Sequence, residues 1–244
     1  MSEKVALITG GARGIGKQIG LAVARKGWNI AICYRTSEDD ANETASLIQE
    51  IGAKAYSEKC DVSDPESAVG LVKNVEKEFG RIDALINCAG PYHRTNIMKE
   101  TPVGWNSMFD NNLHPVFYLT QAVAQGMIDR EYGRIINFSM ANADKMIAQT
   151  EVTAHYIAKA GVLMLTRAFA RQLAAHGITV NAISPGFVNS GSAPEDELQA
   201  MVKRIPAGYI GSTKDTVDAA LYFLSDEAAY VNGSNMILSG GWGL

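Results

Sequence analysis

A doubly wound α/β fold, with a mainly parallel seven-stranded sheet and helices on both faces, is what the 244-residue sequence predicts. Three observations carry that expectation. Short apolar runs recur along the chain, stretches with helical periodicity fill most of the gaps, and the runs are continuously apolar rather than alternating. Strands covered on both faces by crossover helices have this signature. No linker, low-complexity tract or internal repeat interrupts the pattern, and a chain 47% hydrophobic can bury one core, so a single domain over 1–244 is expected.

The first strand is expected at residues 5–8. It runs into Thr9-Gly10-Gly11-Ala12-Arg13-Gly14-Ile15-Gly16 and then an amphipathic helix reaching Lys26. Glycines here let the backbone turn tightly and approach a pyrophosphate, whose charge is met by the N–H groups and dipole of a helix N-terminus. The second strand, at 29–34, ends in Cys33-Tyr34-Arg35-Thr36. An acidic side chain there commonly holds the 2′-hydroxyl of NAD, but this chain has an arginine. Together with Arg13 it suits a 2′-phosphate through forked, charge-assisted hydrogen bonds, which favours NADP(H). A third strand at 54–58 leads to Asp61-Val62 at the adenine end, and a fourth at 84–87 ends in Asn87-Cys88-Ala89-Gly90, small enough for a cofactor to cross the sheet edge. Tyr92 and His93 follow in a loop that either lines a substrate mouth or is an ordinary surface loop. Strands at 134–138, 179–183 and 235–238 complete the seven. Residues 189–205 read as a lid over the substrate end, or as an ordinary surface loop and helix.

Charge and cysteine usage narrow the partners. Twenty-six acidic against 22 basic residues give a net charge of −4, which argues against nucleic acid. Cys33, Cys60 and Cys88 lie in or just after apolar runs with neither a disulfide framework nor metal-ligand spacing; they read as buried thiols in a reducing compartment, and no metal site is expected. Met1-Ser2-Glu3-Lys4 leads straight into the first strand without a signal-like or membrane-spanning run, so a cytoplasmic location and no membrane partner are expected.

With these features in register, the whole chain resembles the short-chain dehydrogenase/reductase family. Asn112-Leu113, Thr179-Val180-Asn181, Pro185-Gly186 and Gly240-Gly241-Trp242 stand where that pattern expects them, and Arg35-Thr36 with Ile205-Pro206-Ala207-Gly208 is most similar to the 3-oxoacyl-[acyl carrier protein] reductase branch. The resemblance implies a Rossmann fold that holds NADP(H) through Gly10, Arg13, Gly14, Ile15, Gly16, Arg35, Thr36, Asp61, Val62, Asn87, Ala89, Gly90, Lys159, Pro185, Gly186 and Val188. It also implies a homodimer or homotetramer paired through long helices at 104–127 and 153–175. The apolar series Val162, Leu163, Leu165, Phe169 and Leu173 fits that pairing and fits core packing equally.

In the family a tyrosine exchanges the substrate oxygen's proton, a lysine four residues later lowers its pKa, a serine steadies the oxygen and an asparagine serves a proton relay. Here Lys159 and Asn112 stand in place, but His155 occupies the tyrosine position and Tyr156 lies one residue too late, displaced about 100° around the helix. A bulge at the helix start would restore Tyr156. Ser139 falls one residue before the usual serine position, which holds Met140, and a strand end would turn it away from the substrate. The candidate catalytic set is therefore Asn112, Ser139, His155, Tyr156 and Lys159, with His155, as an imidazolium, or Tyr156 as proton donor. Three functions fit: an NADPH-dependent reductase of a carbonyl in a small molecule or acyl thioester, an NADP(H)-binding homologue acting as sensor or partner subunit, or a reductase of an enoyl or imine bond.

Overall fold

The computed structural model describes residues 3–190 and 195–243. Along the chain run β1 (Val5–Thr9), α1 (Gly14–Ala24), β2 (Asn29–Tyr34), α2 (Glu38–Glu50), β3 (Ala55–Lys59), α3 (Pro65–Phe79), β4 (Ala84–Asn87), α4 (Pro102–Asn112) and α5 (His114–Asp129). They are followed by β5 (Gly133–Phe138), α6 (Thr153–Leu173), β6 (Ile178–Pro185), β7 (Val188–Asn189), α7 (Glu195–Val202), β8 (Gly211–Ser212), α8 (Thr213–Leu224) and β9 (Asn235–Leu238). The main sheet is parallel throughout, in the order β3-β2-β1-β4-β5-β6-β9. All seven expected strands form. The strand order reverses between β1 and β4, which opens a crevice at their carboxyl ends.

Alternation along each strand divides the core in two. Leu7, Leu85, Ile135 and Val180 face one side, packed with Leu71 and Val75 of α3, Leu119 and Val123 of α5 and Leu173 of α6. Ala6, Ile8, Ile86 and Ile136 face the other, with Ile19 of α1, Ile48 of α2 and Phe223 of α8. Burial on both faces is why these strands read as unbroken apolar runs.

Two departures from expectation have local causes. The helix expected over 104–127 is two helices, because Pro115 has no N–H to offer the carbonyl one turn back and the chain breaks at Leu113. That break leaves Asn112 at the end of α4. Beyond β6, β7 and β8 pair into a small parallel ribbon of their own, too short for periodicity to reveal. The region 189–205 contains α7, while its residues 191–194 lie outside the described residues.

Among the described residues, no helix is long and apolar enough to cross a membrane, and no cluster of His, Cys, Asp and Glu could hold a metal ion. Cys33 and Cys60 are buried and Cys88 half-buried, all as free thiols. Burial pushes their pKa values up to about 12, 11 and 12 respectively, so none is a ready nucleophile.

Candidate active site

The turn after β1 is shaped by contacts that exclude side chains. A Cβ on Gly10, whose φ is +64°, would sit 3.1 Å from the Ala89 Cα. One on Gly11 would lie 2.5 Å from Ile32, and one on Gly16 would lie 2.4 Å from the Gly10 carbonyl. The loop is thus pressed against β2, β4 and its own helix. Thr9 ties it across the crevice, its Oγ1 accepting from the N–H groups of Cys88 at 3.1 Å and Ala89 at 3.0 Å.

In front of this loop, at the crevice between β1 and β4, lies a cleft of about 320 Å³. Gly10 and Arg13 border it from the first turn, Arg35 and Thr36 from the second, Asp61 and Val62 from the third, and Ala89 and Gly90 from the fourth. These eight residues were all expected at a cofactor. Arg35 is held toward the cleft by Asn111, whose Oδ1 accepts from its Nη1 at 2.7 Å, and stands 3.9 Å from the Asp61 carboxylate. Asp61 itself accepts from the Ser63 N–H and hydroxyl. The chemistry of the set fits a phosphorylated dinucleotide: small residues where a pyrophosphate would approach the backbone, and two guanidinium groups at the rim where a 2′-phosphate would lie.

Other expected cofactor residues lie elsewhere. Asn87 is buried and donates to Asn137 Oδ1 at 2.8 Å, and Asn137 donates in turn to Thr166. That chain ties β4 to β5 and α6, a structural placement in which Asn87 does not border the cleft. Gly14, Ile15 and Gly16 lie at the start of α1 and do not border the cleft, with Gly14 facing Ser190. Pro185, Gly186 and Val188 do not border the cleft either: the Pro185 carbonyl accepts from Ala141, the Gly186 N–H donates to Leu238, and Val188 is in the ribbon.

At the inner end of the cleft, Gly90 brings two expected residues together. A Cβ there would meet Asn112 Oδ1 at 2.4 Å and Lys159 Nζ at 3.3 Å. Lys159 Nζ donates to the Phe138 carbonyl at 2.8 Å, and burial lowers its pKa to about 8. Asn112 donates to the Pro91 carbonyl at 3.2 Å, leaving its Oδ1 without a partner.

His155 stands one turn before Lys159, buried, and its pKa is lowered to about 4, first by burial and then by the Lys159 charge, against a hydrogen bond to the Pro91 backbone. Proline has no N–H, so the imidazole is the donor. Since its Nδ1 has no partner, the proton sits on Nε2. His155 is therefore neutral at pH 7 with its single N–H committed to Pro91, and the expectation of an imidazolium donor does not fit this geometry.

Tyr156 is committed as well. Its hydroxyl donates to the Asn142 carbonyl and accepts from the Ile147 N–H at 3.0 Å, bracing a loop in which Asn142 and Met146 take left-handed φ values of +70° and +54°. No bulge turns it toward Lys159. The hydroxyl of Ser139 donates to the Lys159 carbonyl at 2.8 Å, so the side chain is turned into α6, as its place at a strand end foreshadows.

Sequence reasoning passed over Thr9 and Asn111. Thr9 begins the glycine motif, a signal that was available; Asn111 is marked only by its position before Asn112. A glycine turn at the reversal of strand order, bordered by cationic side chains and backed by a buried lysine, defines a dinucleotide-binding protein of the dehydrogenase class.

The chain matches the family model described as enoyl-(acyl carrier protein) reductase over residues 10–243, and it belongs to the short-chain dehydrogenase/reductase family. It is similar to an acetoacetyl-CoA reductase of Shinella zoogloeoides, 38% identical over 244 residues and 98% of both chains. It is also similar to the 3-oxoacyl-[acyl-carrier-protein] reductase FabG of Staphylococcus aureus, 35% identical over 98% of this chain and 97% of that one. Among solved structures, a variant actinorhodin polyketide ketoreductase with NADPH superposes with a TM-score of 0.91 at 28% identity, covering 99% of this chain and 97% of the other. Acetoin dehydrogenase YohF of Salmonella typhimurium superposes with a TM-score of 0.90 at 29% identity, over 98% and 96%.

Proposed function

We propose that the protein is an NADPH-dependent reductase of a carbonyl in a small molecule or acyl thioester, similar to 3-oxoacyl-[acyl-carrier-protein] and acetoacetyl-CoA reductases. The observation that carries this reading is the convergence of one cleft, bordered by Arg13 and Arg35 at one end, on Gly90, Asn112 and Lys159 at the other. Bound NADPH supplies a hydride. The chain supplies binding and orientation: Arg13 and Arg35 hold the 2′-phosphate, the Gly10 turn accepts the pyrophosphate, and the Lys159 ammonium and Asn112 amide set the reactive end. Near pH 7 Lys159 keeps its charge, since its pKa is about 8, and that charge stabilises negative charge developing on the substrate oxygen in a water-poor site.

A specific observation favours a second reading. The protons of Ser139, His155 and Tyr156 are all engaged within the fold, as in a homologue that binds NADP(H) as sensor or partner subunit without turnover. A panel assay separates the two. NADPH oxidation with 3-oxoacyl thioesters and simple ketones, and weaker binding of NADH, supports the reductase; tight NADPH binding with no turnover on carbonyl, enoyl or imine substrates supports the sensor. A cytoplasmic location and a homodimer or homotetramer belong to the same proposal. Phe117 on α5 and Ile157 and Met164 on α6 are exposed apolar residues on the helices through which pairing would occur.

A further inference from the structure

The cleft has residues suited to a cofactor, and a cation, but Ser139, His155 and Tyr156 have no free proton to give. The loop that leaves β4 carries a further phenol, Tyr92. Pro91 lies directly after Gly90, and its carbonyl takes hydrogen bonds from two elements, Asn112 at the end of α4 and His155 at the start of α6. Tyr92 follows at once, its ring edge-to-face with the His155 imidazole at 5.3 Å between centroids and 81° between planes. Its hydroxyl makes no hydrogen bond among the described residues, and the side chain is 65% exposed. The imidazole at the family's tyrosine position therefore does two structural things: it fixes Pro91 by hydrogen bonding and seats Tyr92 by ring packing.

We propose that Tyr92 is the catalytic proton donor, a phenol delivered from the loop after β4, and that His155 is the residue that positions it. The proposal rests on the carbonyl-reductase reading. In the step, the carbonyl carbon gains a hydride from NADPH, which is oxidised to NADP+. The C=O π pair moves onto oxygen, and that oxygen takes the Tyr92 phenolic proton as the alcohol forms. The tyrosinate regains a proton from water, to which its exposure gives access. Lys159, whose Nζ lies against Gly90 of the same turn, stabilises the developing alkoxide.

The test compares wild type with Tyr92→Phe, His155→Tyr and the double variant, together with two readouts that need no turnover. Tyr92→Phe is expected to lower kcat by roughly 10²–10⁴-fold with the NADPH Kd, read by cofactor fluorescence, unchanged. The double variant, with a phenol restored one turn before Lys159, is expected to recover activity. In NMR spectra of the free protein, Tyr92→Leu is expected to move the His155 ring-proton resonances, while Tyr92→Phe, which keeps the ring, leaves them near their wild-type positions. Tyr92→Phe with wild-type kcat, or His155 resonances indifferent to Tyr92→Leu, overturns the proposal. An idle wild type beside an active His155→Tyr overturns Tyr92 alone; both idle overturns the carbonyl-reductase reading beneath it.

Discussion

His155 makes a measurable demand on stability that does not depend on any cofactor. Its pKa in the folded chain is about 4 against an ordinary 6.5. At about 1.4 kcal/mol per tenfold change in proton affinity, that difference is roughly 3 kcal/mol between the two protonation states. Between pH 6.5 and 4 the unfolded chain binds the proton and the folded chain does not, so the folded state loses ground as pH falls. The contribution is complete above pH 6.5 and disappears progressively toward pH 4. From pH 8 to pH 5 the loss works out at roughly 2 kcal/mol. His155→Gln removes the titration while its amide can still donate to the Pro91 carbonyl. Urea unfolding of wild type and variant at pH 8 and pH 5, extrapolated to water, gives four free energies. The wild type is expected to lose about 2 kcal/mol more than the variant across this interval. The other three histidines are common to both proteins and cancel. Equal losses would refute a neutral, buried His155.

Further outcomes follow from the same geometry. Arg35→Ala is expected to weaken NADPH binding about 10- to 100-fold, the range of a charge-assisted hydrogen bond, with NADH little affected; fluorescence titration of both cofactors checks it. Tyr156→Phe leaves the Asn142 carbonyl and Ile147 N–H without their partner and is expected to destabilise the fold by about 1–3 kcal/mol, read by denaturant unfolding, while the NADPH Kd stays within about twofold. Gly90→Ala drives a methyl group against the Asn112 amide, and turnover is expected to fall with the fold retained by circular dichroism.

The fold was legible because burial on both faces writes itself into sequence: Leu7 and Ile8 are both apolar because each faces a different helical layer. The nucleotide end was legible because glycine turns and the Arg35 position are local in sequence. The break at Pro115 was foreseeable from its missing N–H, but helical periodicity continues past it and concealed it. The chemical end was harder. Asn87 looked like a cofactor residue by position, yet its side chain is spent on Asn137, a partner 50 residues away. Tyr156 and Ser139 carry suitable groups, but their hydrogen-bond partners are backbone atoms in a loop and a helix. No residue type announces such a bond. The neutral state of His155 likewise depends on burial and on the Lys159 charge, while its single N–H is taken by Pro91, which comes from a distant loop.

The central claim is met most directly by following NADPH oxidation by the wild-type protein with acetoacetyl thioester and identifying the product. The expected result is one 3-hydroxyacyl thioester formed for each NADPH consumed, with NADH a poorer donor. Saturable NADPH binding with no 3-hydroxyacyl product at any substrate concentration would contradict it.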